Sequence, residues 1–87
     1  MSNFNAQAHE ILKEAYKLGD FELRYIEMAI DQMAESDDGY EMAIAEAWHY
    51  ATRNQKYQLV KIHEQTIIQY IETMLRGEAE WSLQEEK

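Results

Sequence analysis

The stretch Gly39–Arg76, GYEMAIAEAWHYATRNQKYQLVKIHEQTIIQYIETMLR, decides the fold. It contains no proline, and its apolar residues recur at helical intervals instead of alternating as a strand requires. On a wheel of about 100° per residue those residues fall on two faces. Tyr40, Ile44, Ala47, Trp48 and Ala51 share one direction. Val60, His63, Ile67, Tyr70, Ile71 and Met74 share another, rotated by roughly 150°. An unbroken rod with this pattern would have to pack on opposite sides at its two ends. A break is the simpler solution. Thr52-Arg53-Asn54-Gln55 has the form of a capping box, and Asn54 tolerates the left-handed backbone that ends helices, so the break is expected near residues 53–55.

Toward the N-terminus, glycine supplies the punctuation. Gly19 lies between Leu18 and Asp20, as a C-cap followed by an N-cap would; Gly39 closes Ser36-Asp37-Asp38-Gly39; Gly77 follows Arg76 as a stop. Helices are therefore expected over residues 4–18, 20–36 and 39–76, the last in two pieces. Phe4, Ala8, Ile11, Leu12, Ala15 and Leu18 form one stripe on the first. The second has only a narrow polar strip, Arg24, Glu27, Asp31 and Glu35, and so should be covered on more than one side. The expected class is all-α, a small antiparallel helical bundle of three to four helices. One domain spans residues 1–77, followed by an acidic tail, 78–87, frayed except where Trp81 and Leu83 dock back.

Eighty-seven residues hold one core, which buries on the order of 60% of the unfolded chain's surface; with no cysteine there is no disulfide to reinforce it, and self-association is favoured. No apolar run approaches the length that spans a bilayer, and the first residues lack the pattern of a signal peptide, which makes the cytoplasm the default compartment. Seventeen Asp and Glu against eight Lys and Arg give a net charge of −9. Direct binding to nucleic acid or an anionic membrane is disfavoured, and a basic partner protein is favoured. The charge is unevenly divided: residues 1–36 sum to −4, 37–54 to −3 and 77–87 to −3, but 55–76 to +1.

Catalytic patterns are sparse. Nucleophilic catalysis finds no cysteine, and serine only at Ser2, Ser36 and Ser82; no glycine-rich phosphate loop is present, and an enzyme is not expected. Asp37-Asp38-Gly39-Tyr40-Glu41 lacks the alternating ligands of a calcium loop and reads better as a turn with Asp38 and Glu41 in a capping box. Glu46 and His49 have the Glu-x-x-His spacing that binds iron or manganese inside ferritin-like bundles. They occur once and point away from the apolar face, so a metal site would need several subunits. No cofactor is expected. His63, within the apolar stripe of the last helix, reads as a partly buried core histidine.

Two surfaces remain. The carboxylates of Asp37, Asp38, Glu41 and Glu46 are candidates for binding a basic partner, as in an inhibitor or a nucleic-acid mimic. Gln58, Gln65 and Gln69 surround Ile62 on the nearly neutral last helix, and amides are cheaper to desolvate than carboxylates. These four residues are the expected oligomer interface, most simply of a homodimer. The favoured function is a non-catalytic acidic protein-binding module. The alternatives are a metal-binding oligomer using Glu46 and His49, and a structural oligomerisation domain dependent on Ile62.

Overall fold

The computed structural model describes the backbone of residues 3–85 and the side chains of residues 3–80. Its regular structure is entirely helical: α1 (Phe4–Leu18), α2 (Arg24–Ala34), α3 (Gly39–Tyr50), α4 (Arg53–Ile62) and α5 (Glu64–Glu85). The all-α class holds, with five helices instead of three to four.

The additional helix arises because the stretch 39–76 breaks twice. The first break is at Ala51, whose extended backbone (φ −79°, ψ 140°) ends α3. The Thr52 hydroxyl then accepts from the Gln55 amide at 3.2 Å, and the Gln55 side chain accepts from the Thr52 amide at 2.8 Å. The capping box therefore starts α4, and the break lies just before it instead of within 53–55. The second break is the single residue His63 (φ −106°, ψ 26°), which no glycine, proline or capping side chain marks.

Other boundaries move for local or tertiary reasons. α1 matches its expected span: Asn3 accepts from the Ala6 amide at 2.9 Å, and Gly19 ends the helix in the left-handed region at φ 66°. α2 starts at Arg24 and not at Asp20, because Asp20 accepts from the Glu22 amide at 3.0 Å and closes a short turn that buries Phe21. It ends at Ala34, two residues early, and Ser36 accepts from the Asp38 amide at 3.0 Å in the turn that follows. Gly77 does not stop α5. Glu78, one residue further on, is held by the Tyr25 hydroxyl at 2.7 Å and the Arg24 guanidinium at 3.1 Å, and these bonds to α2 carry the helix past the glycine. The docking expected of Trp81 and Leu83 lies outside the described side chains.

α5 is the central element. It buries Ile67, Ile68, Ile71 and Met74 and receives both α1 and α2; α3 packs on α2, and α4 bridges α3 and α5. α1 runs antiparallel to α5, since Asn5 reaches Glu72 (3.3 Å) while Tyr16 reaches Glu64 (2.8 Å). α2, sandwiched between α3 and α5, buries Ile26, Ala29, Ile30 and Met33, which explains its broad apolar circumference. α3 buries Ile44, Ala45 and Trp48, whereas Tyr40 and Ala47, expected to face inward, are exposed. The covered face of α3 is the one turned to α2, displaced toward Ala45 from the centre of the apolar stripe. α4 buries only Val60. The Cα atoms occupy a slab of 44 × 31 × 17 Å.

Three phenol–carboxylate bonds tie α5 to three different helices: Tyr16 of α1 donates to Glu64, Tyr25 of α2 to Glu78, and Tyr70 of α5 to Glu41 of α3. Each raises its phenol pKa above the ordinary 10.0. Burial leads at Tyr16, while the bond to the carboxylate leads at Tyr25 and Tyr70. The Tyr16 ring also forms an aromatic triangle with Phe21 and Tyr57, at centroid distances of 5.4–6.0 Å.

Candidate protein-binding surface

Between Arg24 and Arg53 the chain carries seven carboxylates and no lysine or arginine. This span folds as the α2–α3 hairpin, so the one-sided run of charge becomes one continuous part of the molecule. α4 is its converse, with Arg53, Lys56 and Lys61 and no carboxylate. Both runs are visible in the sequence once charges are counted by helix instead of by broad segment.

The four expected partner-binding residues occupy different situations. Asp37 is exposed in the turn. Asp38 is exposed but uses one oxygen to cap α3, accepting from the Tyr40 amide at 2.8 Å and the Glu41 amide at 3.3 Å. Glu41 is half-buried and accepts from the Tyr70 hydroxyl, so its side chain is drawn to α5 and does not close the capping box reciprocally. Glu46 is exposed and lines a concavity of about 500 Å³ together with Ala34, Gly39, Met42, Ala43 and His49. Met42, 48% exposed, contributes its thioether to this mostly apolar hollow. Glu46 is the carboxylate among its lining residues, set against an otherwise mostly apolar floor.

Glu46 and His49 share that hollow, as their spacing requires, but among the described residues no three His, Asp or Glu side chains are grouped to hold a metal ion. His63 is half-buried with its ring 5.4 Å from that of Tyr40, in an edge-on contact. Trp48 is buried, and its indole N–H has no hydrogen-bond partner among the described residues; the Lys56 ammonium lies 5.0 Å from its ring centroid.

The structure divides the expected oligomer strip. Gln58 and Ile62 line a groove of about 430 Å³ between α3 and α4, beside Ala47, Tyr50 and Leu59. Gln65 and Gln69 line a separate hollow with Asn5 and His9 of α1. Ile62 is 72% exposed, in keeping with its reading as a surface isoleucine, and Tyr50 is 83% exposed. Tyr50 was not singled out from the sequence, because its neighbours Trp48 and Ala51 place it in an apolar run whose outward side only α2 defines.

Comparison with known proteins gives no match to a family, to a curated protein or to a solved structure.

Proposed function

We propose that this chain is a non-catalytic protein-binding module whose α2–α3 hairpin receives a basic, amphipathic segment of a partner protein. The observation that carries this reading is the juxtaposition of an apolar hollow, with Met42 exposed in it, and a hairpin that beyond its first residue, Arg24, carries seven carboxylates and no lysine or arginine. Burial of apolar side chains against Met42, Ala43 and Ala34 would supply affinity, and the flexible thioether adapts to differently shaped guests. Asp37, the free oxygen of Asp38 and Glu46 would steer a cationic guest and repel an acidic one. Such an arrangement suits an inhibitor, or a nucleic-acid mimic in which carboxylates take the places of phosphates. Glu41 plays a supporting part, holding α3 to α5 through Tyr70.

The test uses two synthetic helical peptides with the same leucine face, one with lysine and one with glutamate on the polar face. The lysine peptide binds, and its affinity falls as salt is raised. Asp37→Asn combined with Glu46→Gln weakens it several-fold, while Asp38 is retained for its cap. Equal binding of the glutamate peptide, or full affinity in the double variant, would remove the proposal.

A further inference from the structure

Resting on the function proposed above, we infer that guest and proton compete at the α2–α3 hairpin. Protonation of His49 turns a basic segment out of the hollow, so the partner is held at neutral pH and released on acidification. Among the residues that line the hollow, only Glu46 and His49 can carry charge; the others are glycine, alanine and Met42. Both are exposed, and they stand three residues apart on α3, as neighbours on one face. Of the helices packed on α3, α2 gives the lining Ala34 and α4 gives it nothing. The other charges on those helices lie outside the lining. Glu27 and Asp31 belong to the polar strip of α2, with Glu35 just past its end, and Arg24 is paired with Glu78. On α4, Lys56 is paired with Glu22, Lys61 lies over the Tyr16 ring, and Arg53 borders a separate hollow with Asp20. The charge that a guest meets on the floor is therefore set by one carboxylate and one imidazole.

Histidine is the side chain that changes charge between about pH 5 and 8. Neutral, His49 offers the guest a flat, partly apolar ring and leaves Glu46 as an uncompensated carboxylate. Protonated, it places a cation beside Glu46, balances that carboxylate and repels the lysines or arginines of the guest. The lining then goes from one negative charge to none. Linkage fixes the sign. A guest that prefers the neutral imidazole favours loss of the proton by the same factor. Affinity is therefore full on the alkaline side, falls as pH drops through the histidine range, and binding within that range releases protons.

The test uses the lysine peptide with both ends capped, so that it carries no group titrating in this range, at fixed salt. Wild type should bind it several-fold more weakly at about pH 5.5 than at about pH 8. The quantity read is the ratio of the two affinities, whatever the affinity at the higher pH. In His49→Gln the ratio falls to near one, and in His9→Gln, on α1, it stays as in wild type. Calorimetry of wild type at about pH 6.5, in two buffers of different ionisation enthalpy, reads the proton release directly. A ratio near one in wild type, a wild-type ratio in His49→Gln, its loss in His9→Gln, or binding without proton release would overturn the inference and leave the hairpin reading in place. A lysine peptide that fails to bind even on the alkaline side removes both together.

Discussion

Replacing Tyr16 by phenylalanine removes one oxygen and leaves the ring in its triangle with Phe21 and Tyr57. The perturbation therefore isolates the 2.8 Å bond to Glu64 that joins α1 to α5. A hydrogen bond to a charged partner contributes about 1.5–3 kcal/mol. Both residues are half-buried, so the freed carboxylate turns partly to water, and the expected loss is at the lower end, about 1.5 kcal/mol. Tyr25→Phe and Tyr70→Phe remove bonds that are more open to solvent and should lose about 1 kcal/mol each. The three bonds join α5 to three different helices, so their effects should add, giving about 3–4 kcal/mol in the triple variant. That is a large share of the ~4–13 kcal/mol typical of a domain this size.

The assay is urea unfolding followed by helical circular dichroism, first at neutral pH and then into alkali. All three phenols have folded pKa values raised above the ordinary 10.0. Below 10.0 the stabilisation is fully present, because the phenol is protonated in both states. Above it the unfolded chain releases protons first, and stability falls as pH rises through the folded values. Wild type should lose stability above pH 10.0, and the triple variant should lose less. The reasoning fails if Tyr16→Phe unfolds at the wild-type urea midpoint, or if the triple variant keeps the wild-type alkaline slope.

Two glycines provide a contrast. Gly77 lies inside α5, and among the described residues no atom beyond the helix's own neighbouring backbone comes within 4 Å of an added Cβ, so Gly77→Ala should raise stability by about 0.5–1 kcal/mol, read as a higher thermal midpoint. Gly19, at φ 66°, should respond oppositely, with Gly19→Ala losing about 1 kcal/mol although the space around it is equally open. Thr52→Ala removes the cap of α4 at an expected loss of about 1 kcal/mol. Because α4 buries only Val60, faster amide exchange should be confined mostly to residues 53–62.

The parts of this fold legible in the sequence are those written in neighbouring residues. Helical periodicity, the Gly19 terminus, the Asp38 cap and the Thr52–Gln55 box depend on contacts between residues at most five positions apart, so the side chains themselves specify them. The wide apolar girdle of α2 likewise announced that it would be covered on two sides.

What covers a helix is a different matter. The wheel gave α3 an apolar stripe running through Tyr40, Ala47 and Trp48, but α2 docked toward Ala45, leaving Tyr40 and Ala47 exposed and opening the groove beside Tyr50. The interruption at His63 separates α4 from α5, and packing of α1 along α5 places Gln65 and Gln69 in a different hollow from Gln58 and Ile62. Gly77 remains helical because Tyr25 and Arg24, more than fifty residues away, hold Glu78. The sequence by itself determined the helical class, the charge and the local caps, whose physics acts within one turn. The tertiary structure alone decided which apolar residues stay uncovered and which carboxylates are already bound, because both depend on the neighbours that distant segments bring.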